Sequence, residues 1–215
     1  MADTQALYRL YGVPSWGSVL VEAALVQARL PYTFENVAGF DEPGPARDRL
    51  VAVNPLAQVP VLMLPDGTVM TESAAIALHV ADRVPAAGLA PPPGDPARDA
   101  FLRWLVFIVA NVYPMYTVGD DPSRWVSTET AQKELRASTD AYREKSWRIV
   151  EAAIAPQPWF LGKHFSALDV YVKVMSHWRP RRDWFKANCP KLMSVARAAD
   201  KEPRLANVWQ RHFPA

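Results

Sequence analysis

Asn54-Pro55-Leu56-Ala57-Gln58-Val59-Pro60-Val61-Leu62 and, ten residues further on, Glu72-Ser73-Ala74-Ala75-Ile76 decide how this chain folds. A proline has no N–H to give a sheet ladder, so directly before an apolar strand it marks a special site. A cis peptide bond belongs to such positions, and one at Pro60 would present the backbone of Val59 to an extended ligand. Pro65-Asp66-Gly67 then reads as a tight hairpin turn. Glu72-Ser73 places an acid and a hydroxyl at the start of a helix, where the first N–H groups lack intrahelical partners and can hold an anion. Together these residues describe a cradle for a small peptide at one edge of a small sheet. Taken alone, Glu72-Ser73 fits an ordinary helix cap just as well.

Outward from this stretch, strands and helices alternate. Leu7 to Tyr11 reads as a strand, and Ser18 to Arg29 as a helix with apolar residues at helical spacing. Tyr32 to Val37 alternates like a strand, Arg47 to Val53 reads as a short helix, Val61–Leu64 and Thr68–Met70 as a hairpin, and Ser73 to Arg83 as a helix. The helices between the first three strands favour parallel pairing, with the last strand joined by the hairpin. Residues 1–84 therefore suffice for one small α/β domain. Residues 85–96 form a stiff, Pro-rich connector in which Asp95 is placed to cap the next helix with Pro96 at its first position. Residues 97–215 read as all-helical. Pro114 is expected to kink or end the helix that contains it. Val170-Tyr171-Val172-Lys173-Val174 has strand composition, but Ser166-Ala167-Leu168-Asp169 just before it is a capping signature and favours helix.

The 215 residues are half apolar and carry a net charge of only +2, which argues against a nucleic-acid-binding face, since that needs a basic stripe. The one basic cluster, Arg179, Arg181 and Arg182, reads first as a solvated loop and second as an anion site. A single cysteine, Cys189, excludes an internal disulfide framework and reads as an inert structural thiol. His79, His164, His177 and His212 share no metal-ligand spacing, so no metal site is expected. The N-terminus lacks a basic, apolar leader, and Leu105 to Tyr113 falls far short of the ~20 residues that cross a bilayer. No membrane partner and a cytoplasmic location are expected.

A third signature, Trp159-Phe160-Leu161-Gly162-Lys163-His164-Phe165-Ser166-Ala167-Leu168-Asp169, joins the first two. With all three in hand, the chain resembles the cytosolic glutathione transferases over nearly its full length. The resemblance implies an α/β thioredoxin-like N-terminal domain plus an all-α C-terminal domain, glutathione as co-substrate, and a homodimer. It implies that Val59 pairs its backbone with the cysteinyl part of glutathione, that Pro60 is cis, and that Glu72 and Ser73 hold the γ-glutamyl end, with Gln58 a weaker contact. A carboxylate suits the ligand's ammonium, while a hydroxyl and helix N–H groups suit its carboxylate.

The family activates the glutathione thiol with a hydroxyl or thiol near the start of the first helix. Thiolate is the nucleophile, and both a hydrogen-bond donor and a helix N-terminus favour it. Within Tyr11-Gly12-Val13-Pro14-Ser15-Trp16-Gly17-Ser18, Ser15 is the first candidate, Ser18 the second (with a helix N-cap as its other role), and Tyr11 the third. The absence of a cysteine at 15 disfavours glutaredoxin-like exchange, and Val19-Leu20-Val21-Glu22 stands where the isomerase class carries arginines. For the hydrophobic electrophile the candidates are Trp16, Tyr113, Tyr116 and Trp178, although much of this aromatic set would also serve as core. The expected activity is conjugation of glutathione to a hydrophobic electrophile, in detoxification. The alternatives are a non-catalytic binding or regulatory protein and a glutathione-dependent isomerase or dehalogenase.

Overall fold

The computed structural model describes residues 7–214. Its contacts divide the chain into two compact units, with boundaries at Pro92/Pro93 and at Ala199/Asp200. The first boundary lies inside the Pro-rich stretch. The second assigns residues from Asp200 onward to the same unit as the N-terminal residues.

The N-terminal unit is built on four strands, β1 (Tyr8–Gly12), β2 (Tyr32–Asn36), β3 (Val61–Met63) and β4 (Val69–Met70), in the order β2-β1-β3-β4. β1 and β2 are parallel, joined through α1 (Ser18–Gln27). β3 runs antiparallel to β1, which corrects the expectation of parallel pairing. The connection through the short helix α2 (Pro45–Val51) and the turns after it is long enough to carry the chain to either end of the sheet. A helix between strands therefore does not by itself fix their direction. The β3–β4 hairpin closes as read: Gly67 has φ 87°, Leu64 N–H donates to Thr68 at 2.8 Å, and Asp66 accepts the Thr68 N–H at 2.8 Å. α3 spans Ser73–Arg83.

The sheet buries both faces. Tyr11 and Val61, paired across β1 and β3, join Val13, Val37, Phe40, Leu50 and Ala57 in one cluster. Leu10 and Leu62, paired one residue along, point to the opposite face. There α1 packs against β1 and α3. α1 is buried nearly all round rather than along one stripe, because the C-terminal segment covers it as well, through α10 (Ala206–His212). Leu205, Val208 and Trp209 belong to this buried set.

The second unit is helical. Asp95 does not cap its first helix directly. Its carboxylate accepts the N–H of Ala97 (2.8 Å) in a turn, and α4 begins at Arg98 and runs to Phe107. A π-helical turn at Ile108–Val112 leads into α5 (Tyr113–Asp120). Pro114 consequently sits in the first turn of α5 and neither ends nor breaks the run. The wider turn before it absorbs the missing N–H. As one run, Arg98–Asp120 is long and apolar enough to cross a membrane by length and composition, a property it shares with core helices of bundles. α6 (Glu129–Ala153) begins at Thr128, whose hydroxyl accepts the Ala131 N–H at 3.3 Å.

α7 (Ala167–Ser176) settles the conflict over Val170–Val174 in favour of helix. Asp169 reaches back to the N–H groups of Ser166 and Phe160, both at 2.7 Å. Its carboxyl is fully buried, and burial outweighs these hydrogen bonds and raises its pKa to about 6. α8 (Arg182–Asn188) and α9 (Pro190–Asp200) complete this part of the chain. Arg179, from the basic cluster, pairs with Asp120 at 2.7 Å and Asp140 at 3.1 Å.

Candidate functional site

The edge at Val59 is shaped by Asn54. Its side-chain amide donates to the Gln58 carbonyl (2.9 Å), and its carbonyl oxygen accepts the Leu56 N–H (3.2 Å). Asn54 is thus a buried turn residue that fixes the loop entering β3. The Val59–Pro60 bond is cis. Among the described residues the N–H and C=O of Val59 have no hydrogen-bond partner, so a strand-like ligand would complete the ladder there. Gln58 is exposed and Val59 half-buried.

Glu72 caps α3 with its backbone alone. It has φ 63° and ψ 103°, and its side chain makes no capping hydrogen bond. The ordinary-cap reading of this carboxylate therefore loses its support. A non-glycine residue held at positive φ costs about 1–3 kcal/mol and persists where its surroundings over-determine it. Ser73 follows, buried at the first position of the helix. The exposed carboxylate of Glu72 and the buried hydroxyl of Ser73 sit together at the start of α3.

The loop after β1 separates the three hydroxyl candidates. Tyr11 is buried in the apolar cluster beneath the sheet. Ser18 is fully buried at the first turn of α1, after an N-cap at Gly17. Its hydroxyl donates to the Val13 carbonyl (2.8 Å) and accepts the Val13 N–H (3.1 Å), pinning the loop. Gly12 leaves room for this clamp, because a Cβ there would lie 2.3 Å from the Ser18 Cβ. Ser15 alone is partly exposed, with φ 68°. Its hydroxyl donates to the His212 carbonyl at 2.6 Å, and its N–H donates to His212 Nδ1 at 3.1 Å. Trp16, about half exposed, stands edge-on to Phe40 at 5.8 Å.

Behind Ser15 lies a polar network that the sequence reading missed. Glu22, fully buried in α1, accepts from His212 Nε2 (2.5 Å), Tyr32 (2.6 Å) and Arg211. Burial acts to raise the Glu22 pKa, but the hydrogen bonds from His212 and Tyr32 and the charge of Arg211 together leave it lowered. Tyr32 is pushed up to about 12 by burial and by its bond to Glu22. The one signal in the sequence is a lone acid inside an apolar run, Val19-Leu20-Val21-Glu22-Ala23-Ala24-Leu25.

In the helical unit Trp178 stacks edge-on with Tyr113 (5.7 Å) and Tyr116 (5.0 Å). The three aromatic candidates read from the sequence therefore form one cluster. Tyr116 is buried, with its pKa raised by desolvation, while Tyr113 and Trp178 keep part of their surface. The thiol of Cys189 is buried and pushed up to about 12 by desolvation, so it is not a nucleophile at neutral pH. Among the described residues no His, Cys, Asp or Glu group could hold a metal ion.

Residues 21–83 match the model of the glutathione S-transferase N-terminal domain. The chain is 39% identical to the uncharacterized GST-like protein YncG of Escherichia coli K12, covering 96% of this chain and 98% of that one. Glutathione S-transferase GstA of Escherichia coli O157:H7 is 31% identical over 61% of this chain and 62% of its own. Among solved structures, a glutathione transferase homologue from Sulfitobacter with bound glutathione superposes with a TM-score of 0.81 at 28% identity, covering 94% and 97% of the two chains. The chain belongs to the glutathione S-transferase family, with a thioredoxin-like sheet unit and a helical unit.

Proposed function

We propose that this protein binds glutathione along the edge at Val59 and adds its thiolate to a hydrophobic electrophile, with Ser15 as the group that stabilises the thiolate. The observation that carries this reading is the pairing of two features in one unit: an unpartnered strand edge at a cis-proline and a helix start whose exposed carboxylate is not used as a cap. Glutathione is an extended tripeptide with an ammonium and a carboxylate at its γ-glutamyl end. Val59 would take its cysteinyl backbone, Glu72 its ammonium, and Ser73 with the first N–H groups of α3 its carboxylate. Gln58 stands at the same edge. The glutathione bound by the Sulfitobacter homologue supports the same ligand class here.

Ser15 is the one hydroxyl of the three that is neither buried in the core nor engaged in pinning its own loop. To serve the thiolate its proton must leave the His212 carbonyl, an exchange of a neutral acceptor for a charged and stronger one. Proximity and thiolate stabilisation supply the catalysis, and no protein group has to abstract a proton from the electrophile. In the helical unit Tyr113 and Trp178, backed by the buried Tyr116, offer apolar surface suited to a hydrophobic electrophile; Trp16 is an exposed aromatic of the sheet unit. The protein acts as a cytoplasmic homodimer in detoxification.

Glutathione titration of wild type, Ser15→Ala and Glu72→Gln tests the reading. Ser15→Ala keeps its affinity and loses about 100-fold in turnover, the loss of one oriented donor. Glu72→Gln binds about 10-fold more weakly, consistent with one charged hydrogen bond. Unchanged turnover in Ser15→Ala removes Ser15 from the mechanism. Binding without any electrophile turned over, across a panel of halogenated and unsaturated substrates, favours the non-catalytic alternative.

A further inference from the structure

We propose that His212 is a positioning residue for the catalytic loop: its imidazole Nδ1 holds the Ser15 backbone in place while the Ser15 hydroxyl changes acceptor from protein to thiolate, and Glu22 keeps that imidazole in the required tautomer. This rests on the reading of Ser15 as the thiolate donor.

The geometry fixes the proton positions. Ser15 N–H points at His212 Nδ1 from 3.1 Å. An N–H cannot donate to a protonated nitrogen, so Nδ1 carries the lone pair and the ring proton sits on Nε2. Nε2 in turn faces the Glu22 carboxylate at 2.5 Å, an acceptor that favours that same tautomer. Glu22 is held as an anion by Arg211 and Tyr32. The imidazole is 3% exposed and Glu22 is 0% exposed, so water does not compete for these bonds.

Ser15 needs such a hold. At φ 68° a serine sits in a region that costs free energy, and only its surroundings keep it there. Ser18 fastens the loop at Val13 from one side and His212 fastens it at Ser15 from the other. Of the two bonds from Ser15 to His212, the hydroxyl's bond must break for thiolate stabilisation, and the N–H bond need not. Rotation about the Ser15 Cα–Cβ bond then re-aims the hydroxyl without moving the backbone, so the bond to Nδ1 preserves the loop through the exchange. Neither partner is near the other in sequence, being 197 residues apart.

The test compares kcat and KM for glutathione in wild type, His212→Asn, His212→Gln and Glu22→Gln, with Ser15→Ala alongside. An asparagine oxygen reaches the place of Nδ1, whereas a glutamine amide reaches that of Nε2 and leaves the Ser15 N–H without its acceptor. His212→Gln is expected to lower kcat about 10-fold, one lost hydrogen bond, with KM changed less than about 3-fold. His212→Asn restores kcat to within about 3-fold of wild type by the same scale. Glu22→Gln shifts the ring proton toward Nδ1 and lowers kcat in step. A long-range imidazole nitrogen spectrum of the wild type, read at the ring close to the Ser15 amide, is expected to show the Nε2–H tautomer whatever the variants do.

Wild-type kcat in a folded His212→Gln, with Ser15→Ala impaired, overturns the proposal. So does His212→Asn performing no better than His212→Gln. A ring protonated at Nδ1 in the wild type overturns the clamp itself, independent of turnover. Wild-type turnover in Ser15→Ala instead sinks the underlying reading of Ser15, and the proposal's functional half with it.

Discussion

Single residues at the first loop are under close steric control. Gly12 has ordinary backbone angles, yet a Cβ at this position would meet the Ser18 side chain at 2.3 and 2.6 Å and the Phe34 ring at 3.0 Å. Gly12→Ala must therefore displace Ser18 and its two bonds to Val13. We expect a loss of about 2–3 kcal/mol, at the upper end for overpacking, read from the shift in the urea midpoint. A midpoint equal to wild type would mean that the loop gives way at no cost. Ser18→Ala should leave the buried Val13 N–H unsatisfied and cost about 1–3 kcal/mol, and a glutathione titration of the same variant reports whether the loop keeps its shape. Glu72 and Ser15 share a positive φ, and both lie where ligand chemistry is proposed. Arg29, after α1, and Ala57, in the loop before Val59, are the other described non-glycine residues of this unit at positive φ.

Among the elements, α7 depends at its start on one side chain. Asp169 bonds the N–H groups of Ser166 and Phe160 from a fully buried position, so it ties the segment before the helix to the helix start. Its pKa rises from 3.8 to about 6 on folding, because burial dominates. The folded state then holds more protons than the unfolded state between about pH 4 and 6. An acid with a raised folded pKa stabilises fully below its unfolded pKa and loses that contribution as pH rises through the folded pKa. Denaturation of wild type and Asp169→Asn across this range checks it. The stability advantage of wild type should shrink by about 2–3 kcal/mol from pH 4 to pH 6.5. A constant difference would show that folding does not raise the Asp169 pKa.

At the scale of the whole molecule, the N-terminal unit is not completed by the first 92 residues. α10 and the turn before it cover α1 with Leu205, Val208 and Trp209, and they bring His212 to the Ser15 loop. A chain ending at Ala199 exposes the buried face of α1 together with the Glu22 carboxylate. Its glutathione affinity should fall at least 10-fold, as expected if a binding-competent state is no longer the main population. Titration with and without the segment measures this. Retained affinity would mean that the sheet unit folds without its C-terminal cover. Val106, Tyr142 and Ile149 of the helical unit are exposed apolar residues, and light scattering should find the proposed dimer.

Local chemistry made much of this protein readable from its residues. Pro60, Asp66-Gly67, Glu72-Ser73 and Ser166–Asp169 each act within a few positions, through a missing N–H, a permitted positive φ or a reachable backbone donor. Their structures appear where the sequence places them. α3 spans Ser73–Arg83, as its sequence indicates, and the capping box at Ser166 outweighs the strand propensity of the valines that follow. Tertiary structure decided what depends on distant partners. The direction of β3 follows from the path of a long connection, Ser18 became a loop clamp because Val13 folds back onto it, and Glu22 received a purpose only when His212 arrived from the far end of the chain. A bond between residues nearly two hundred positions apart leaves no periodicity and no spacing to read, since its cost in chain entropy is met by the burial of the whole unit and not by any signal near either residue.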